Sequence, residues 1–156
     1  MERAETIRFF RADIRQMSEV YSFVAQTLAD CGVPAKYSPI MEMAADEIFS
    51  NITKYAYEDD EDKNAKDAVI VGLTVKDGAI ELRFGDRGIP FDPLSFSPAD
   101  TVSGTDEREP GGLGIYLTRS AMDDARYARE GGRNVLTLVK FIGDKVGDKI
   151  EDKYRR

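Results

Sequence analysis

The stretch Val69–Gly88, VIVGLTVKDGAIELRFGDRG, decides the architecture. Val69, Val71, Leu73 and Val75 alternate along a strand, Asp77-Gly78 supplies a two-residue hairpin turn, and Ile80, Leu82 and Phe84 alternate along the return strand. The segment reads as an antiparallel hairpin. Asp86 has the parity of Ile80, Leu82 and Phe84, so the apolar row ends in a carboxylate. It is followed by Arg87-Gly88, where the strand gives way to a loop that can take a glycine-only conformation. A buried acceptor at a strand end suits a ligand N–H. An Asp turned outward to cap the turn is the other reading of the segment alone.

Toward the N-terminus, Thr6 to Arg11 alternates weakly and reads as a first strand, with Asp13 placed to cap the first helix. Ile14, Met17, Val20, Tyr21, Val24 and Leu28 recur at helical spacing, and Gly32 and Pro34 punctuate the end of that amphipathic helix. A second helix is expected from Ser38-Pro39, with Ser as cap and Pro at the first helical position, running to about Tyr57. On it Ile40, Ala44, Ile48, Ile52 and Tyr55 form the apolar stripe. Residues 58–67, EDDEDKNAKD, crowd like charges and read as a solvated loop. They fail as a calcium loop begun at Asp60, because the sixth position is Ala65 rather than Gly and the twelfth is Val71 rather than Glu.

Toward the C-terminus, Asp92 to Gly111 is rich in Pro, Ser, Asp and Gly, a loop long enough for a lid. A short helix is expected from about Leu113 to Met122. A closing hairpin comes next, from Arg126 to Glu130, through Gly131-Gly132-Arg133, to Val135–Ile142. The charged tail 143–156 spaces Val146, Ile150 and Tyr154 four apart, as a frayed terminal helix or a partner-binding one would.

A chain of 156 residues suits one domain, here 1–142, and no internal repeat or linker divides it. No apolar run approaches the roughly 18–20 residues of a membrane helix, and the first ten residues lack a signal-peptide pattern. A soluble, cytoplasmic protein without membrane contact is expected. The complete lack of His and the single Cys31 exclude Ser-His-Asp, Cys-His and the usual zinc chemistries. A net charge of −7 repels a phosphate backbone, so no direct nucleic-acid partner is expected.

Two polar features stand out besides Asp86. Glu47 and Asn51, four apart, stack at the margin of the second helix's apolar stripe, where both are partly desolvated. They form either an edge pair bonded to nearby backbone or a functional pair. Gly111-Gly112-Leu113-Gly114, just ahead of the short helix, lets backbone N–H groups approach an anion at a helix N-terminus, although a lone glycine-rich turn is weak evidence. Neither a GxxxxGK[ST] nor a GxGxxG motif occurs, which removes the P-loop and dinucleotide-binding cradles.

In order, the chain presents Glu47-x-x-x-Asn51-x-x-Lys54-Tyr55-Ala56-Tyr57, then Asp86-x-Gly88-x-x-Phe91-Asp92, a lid, Gly112-Leu113-Gly114, and a terminal hairpin with Asn134 and Lys140. This order resembles the GHKL (Bergerat-fold) ATPases, specifically the anti-sigma-factor serine/threonine kinases, from about Thr6 to Ile142. The resemblance implies an α/β two-layer sandwich: a mixed, largely antiparallel sheet with helices on one face and ATP between the layers. It implies that Asn51 holds Mg2+ against the phosphates, that Glu47 is the general base, and that Asp86 accepts from the adenine amine while Gly88 lets the chain pass the base closely. Gly112, Leu113 and Gly114 would surround the phosphates. Thr137 either completes the adenine pocket or is a core Thr, and Lys54 and Arg108 are either phosphate cations or solvated. The chain departs from the family at Tyr55, often His in relatives, and at Pro110, where a polar or basic lid residue can stand.

The implied function is an ATP-dependent protein serine/threonine kinase that sequesters a sigma factor and phosphorylates a Ser on a small antagonist protein, thereby regulating transcription. A non-catalytic, nucleotide-bound sequestering module is the alternative, which an intact Glu47 disfavours. A sensor histidine kinase would need a His to accept phosphate in cis, and the chain has none. The resemblance also leaves room for a homodimer through the first strand.

Overall fold

The central hairpin forms as its alternation predicts. Strands β2 (Val69–Lys76) and β3 (Ala79–Asp86) pair antiparallel from Val69↔Asp86 to Lys76↔Ala79. Asp77 and Gly78 turn the corner with φ of 52° and 73°, the left-handed pair that matches strand twist. The computed structural model describes residues 4–95 and 112–143, the side chains of residues 112 and 113 excepted. Arg108, most of the 92–111 loop and the tail beyond residue 143 lie outside the described residues.

Three further strands complete the sheet: β1 (Thr6–Phe10), β4 (Asp124–Glu130) and β5 (Arg133–Phe141). The order is β1-β2-β3-β5-β4, and every neighbouring pair is antiparallel. Gly131 and Gly132, at φ of 55° and 76°, close the β4–β5 hairpin. Helices α1 (Met17–Asp30) and α2 (Ser38–Asn51) cover one face, and α4 (Gly112–Ala121) packs beside α2. The core between the layers is built from Val20, Val24 and Leu28 of α1, Met41, Ala45 and Phe49 of α2, and Val71, Leu73, Ile80, Leu82, Phe84 and Leu138 of the sheet. Phe10 joins all three elements, meeting Phe23 and Phe49 edge-on at 6.3 and 6.1 Å, a favoured aromatic geometry. Among the described residues, no helix is long and apolar enough to cross a membrane.

Four expectations are corrected. Ser38 does not cap α2; a 3₁₀ turn at Ala35–Tyr37 leads in and Ser38 is already helical. Ile14 is exposed, because it lies in a separate 3₁₀ turn, Ile14–Gln16, capped by Asp13, before α1 begins. The 58–67 segment is not wholly loop, since α3 (Asp60–Lys63) forms there with Asp59 accepting from the Glu61 N–H and three carboxylates in the first turn. Finally, the second helix does not run to Tyr57 in one register. After Asn51 it widens into a π-helical turn, Ile52–Ala56, whose extra residue per turn swings Tyr55 to the surface and brings Tyr57 into the core.

Candidate functional site

Between α2 and the sheet lies a cleft open to solvent. Its helical wall is Ile48, Asn51, Ile52, Tyr55 and Ala56, and its floor is Phe84 and Asp86 of β3, Asn134 and Leu136 of β5 and Tyr127 of β4. Ile89, Phe91 and Pro93 from the loop after β3, with Ile115 of α4, close its sides. The lining is apolar apart from a few converging polar groups, the usual make-up of a small-molecule site.

At one end the polar groups are wired together. Asp86 is 6% exposed, and its Oδ1 accepts from the Gly88 N–H at 2.8 Å and from Asn134 Nδ2 at 3.0 Å. Its Oδ2 makes no hydrogen bond among the described residues, which leaves one acceptor oxygen at the cleft floor. Burial raises the Asp86 pKa above the ordinary carboxylate range, while the hydrogen bonds from Asn134 and Gly88 and the charges of Arg129 and Arg133 pull the other way. Asn134 also donates to Ile89 O at 2.8 Å, and its Oδ1 accepts from Phe91 N–H at 3.1 Å and Tyr127 O–H at 2.6 Å. Tyr57, delivered by the π turn, donates to Ala68 O at 2.6 Å and accepts from Arg87 N–H at 2.7 Å, tying the start of β2 to the end of β3. Burial pushes its hydroxyl pKa up, so it stays protonated and able to donate.

Gly88 sits where a Cβ would overlap the backbone of Ala56, and the Ile89 N–H donates to Ala56 O at 3.0 Å. The glycine is thus required by close approach of the helical wall, a different reason from passage along a base. Arg129 Nη1 donates to Gly88 O at 2.9 Å and braces the same turn.

Among the described residues, the other end is sparsely bonded. Glu47 and Asn51 share one face of α2, and Asn51 Nδ2 donates to Glu47 Oε1 at 2.9 Å. A carboxylate can only accept, so the amide nitrogen must face it and Asn51 Oδ1 points away with no hydrogen bond among the described residues. Gly114, in the first turn of α4, lies so close to Glu47 that an added Cβ would overlap its carboxylate. A glycine there lets the helix N-terminus, with its unpaired N–H groups, approach the Glu47–Asn51 pair. Farther along α4, Arg119 Nη1 donates to Leu94 O at 3.1 Å.

Of the expected site residues, Asn51 and Asp86 line the cleft; Glu47 adjoins it through its hydrogen bond to Asn51, Gly114 lies against Glu47, Gly88 follows Asp86 at the turn, and Gly112 is the first residue of α4. The side chain of Leu113 and all of Arg108 lie outside the described residues. Thr137 is not in the cleft. It pairs with Arg83 and Arg126, whose parity is opposite to that of Asp86, Asn134 and Leu136, so it stands on the far face of the sheet. Lys54 is also outside it. Two residues on from Ile52 and two before Ala56, it falls on the other side of the turn and lines a separate depression with Asp13, Thr53, Asp60 and Lys63.

Asn134 and Tyr127 carry cleft chemistry that the sequence reading left unassigned. The signal for Asn134 was the one that found Asp86: it continues the apolar row of Leu138 and Leu136 and ends it in a polar side chain. Tyr127 gives no such signal, because only the pairing Tyr127↔Leu136 puts it on the cleft face.

Set beside known proteins, the chain matches a family model described as the histidine kinase-like ATPase domain over residues 10–140. It is 27% identical over 109 residues to the serine-protein kinase RsbW of Listeria monocytogenes, covering 67% of this chain and 66% of that protein. It is 29% identical over 106 residues to the serine-protein kinase RsbW of Bacillus thuringiensis, covering 65% of this chain and 62% of that protein. The chain thus spans slightly less than two thirds of these curated relatives. Among solved structures, the RsbU and RsbW domains of a Mycobacterium tuberculosis protein superpose with a TM-score of 0.62 at 16% identity, covering 89% of this chain and 32% of that one, which is a likeness of fold. With 131 consecutive positions of its 156 inside the family model, and a cleft between a helical layer and an antiparallel sheet, the chain belongs to the histidine kinase-like ATPase domain family.

Proposed function

We propose that the chain binds ATP with Mg2+ and transfers the γ-phosphate to a Ser on a small antagonist protein, acting as an anti-sigma-type regulator that sequesters a sigma factor. The observation that carries this reading is the division of the cleft: an unspent carboxylate oxygen of Asp86 at one end, and the Glu47–Asn51–Gly114 group at the other. Asp86 Oδ2 suits the exocyclic amine of adenine, with Ile52, Phe84, Ile89 and Leu136 as apolar walls for the ring. Asn51 Oδ1 is a neutral hard ligand of the kind Mg2+ accepts alongside phosphate oxygens, and the metal would offset charge on the phosphates. The names of the RsbW relatives, serine-protein kinases, support the acceptor class.

In this reading Glu47 takes the proton of the attacking Ser hydroxyl as its oxygen bonds to the γ-phosphorus and the bond to ADP breaks. Gly112 and Gly114 allow the α4 backbone to approach the phosphates, and Asn51 keeps the Glu47 carboxylate oriented through its hydrogen bond. A second copy of the chain is a further expected partner. Exposed Ile7 and Phe9 on edge strand β1 supply apolar surface for it.

The test is an ATP titration with and without Mg2+, then labelled-phosphate transfer to a partner protein from the same genomic neighbourhood. Mg2+-dependent binding with transfer is the expected result. Binding without transfer would favour the nucleotide-bound sequestering module, and no binding would overturn the whole reading.

A further inference from the structure

Asn134 is 7% exposed and uses all its hydrogen-bonding capacity on four partners from three parts of the chain. Its amide orientation is not a matter of choice. The Ile89 carbonyl can only accept and the Phe91 N–H can only donate, so Nδ2 must face the first and Oδ1 the second. Nδ2 is then also the group that meets Asp86 Oδ1.

Asp86 is constrained in turn. Oδ1 already accepts two N–H groups, one from Gly88 and one from Asn134, so it has no room for a proton of its own. Any proton on the carboxyl must sit on Oδ2, the oxygen at the cleft floor. An ionised Asp86 thus offers the cleft an acceptor and a protonated one offers a donor. The first fits an amino group on a purine and the second fits an oxo group.

Resting on the ATP-binding reading above, we infer that Asn134 is a positioning residue that sets base selectivity, by holding Asp86 as an acceptor and so selecting 6-amino over 6-oxo purine nucleotides. A hydrogen bond to the charged form favours that form, and Asn134 supplies one of only two that reach this buried carboxylate among the described residues. Burial works toward the neutral form of Asp86, and the hydrogen bond from Asn134 is the largest of the contributions that oppose it, so losing Asn134 weakens the hold on the acceptor form. Asn134 also anchors Ile89 and Phe91, which side the same end of the cleft.

The probe is ATP against inosine triphosphate, which replaces the 6-amino group with a 6-oxo group, each titrated into the full chain at neutral pH. Wild type should prefer ATP by roughly 100-fold or more, as sites built around one hydrogen bond do. Asn134→Ala should lower that ratio by about tenfold or more. Asn134→Leu, nearly the same size, removes the hydrogen bond to Asp86 without opening a cavity, so the ratio should fall likewise. It is the variant to read if the alanine variant does not fold. Leu138→Ala, a core loss on the same strand away from the cleft, should lower the melting temperature and leave the ratio unchanged. A smaller fall in a folded Asn134 variant, or an equal fall in Leu138→Ala, overturns the inference and leaves ATP binding standing. A wild type that binds neither nucleotide overturns the ATP reading itself, and this inference with it.

Discussion

The two ends of the cleft are built on opposite plans. At the Asp86 end, Asp86, Asn134, Tyr127, Tyr57 and the Gly88 turn are joined by hydrogen bonds of 2.6–3.1 Å that leave one carboxylate oxygen over. At the Glu47 end, among the described residues, a single bond of 2.9 Å links Glu47 and Asn51, and Asn51 Oδ1 makes none. The first end is assembled before a ligand arrives, so its shape and hydrogen-bonding pattern are settled by the fold. The second keeps polar groups in reserve, which leaves its geometry for a ligand to complete. In the proposed function, recognition belongs to the first end and chemistry to the second.

The widest separation between the ends comes from Glu47→Ala. Phosphotransfer to a partner Ser, or slow ATP hydrolysis in its place, should fall by roughly 10²- to 10⁴-fold, the span for losing a positioned general base. ATP affinity should hold. A wild type with measurable turnover that survives the substitution undiminished would remove Glu47 from the chemistry.

Asp86→Asn strikes the opposite end. ATP affinity should drop by about 10- to 150-fold, the range for a hydrogen bond to a charged group, measured by calorimetric titration. Its pH behaviour sharpens the contrast. Because burial holds the folded pKa of Asp86 above its unfolded value, this group contributes stability that is fully present below the unfolded pKa and is lost as pH rises through the folded one. ATP needs the ionised acceptor, so its affinity rises over that same window. The difference in melting temperature between wild type and Asp86→Asn, without nucleotide, should therefore shift in favour of the variant as pH rises above the ordinary carboxylate range, and ATP should reverse it. A difference that does not change with pH would show that burial does not raise the Asp86 pKa.

Asn51→Ala should cut Mg2+-supported ATP affinity by about tenfold and leave binding without metal nearly unchanged, since its side chain belongs to the adjustable end. Titrations with Mg2+ and with EDTA read this directly, and an undiminished metal dependence would exclude Asn51 as a ligand. Thr137→Val should have the smallest effect, within about twofold on ATP affinity, because its side chain lies on the far face of the sheet.

The sequence alone determined much of this. The period-two rows of β2 and β3, the Asp77-Gly78 and Gly131-Gly132 turns, and the four-residue spacing of Glu47 and Asn51 are local properties, and local stereochemistry dictates them in any context. Asp86 was legible for the same reason, as a polar residue closing an apolar row. Among the readings that failed, those for Tyr55 and for Thr137 in the cleft required a phase carried across an irregularity or between strands. A constant 3.6 residues per turn puts Tyr55 on the buried stripe, but the π turn at Ile52–Ala56 shifts the phase so that Tyr57 takes the core position. The face of Thr137 depends on its parity, which the register against Arg83 decides. The Asn134 network and the overlap of Gly114 with Glu47 join residues 48 and 67 positions apart in the chain, and no local pattern encodes them. Only packing α2 and α4 against a sheet in the order β1-β2-β3-β5-β4 brings those groups within reach, because hydrogen bonds and van der Waals contacts act over a few ångströms and the chain alone does not set those distances.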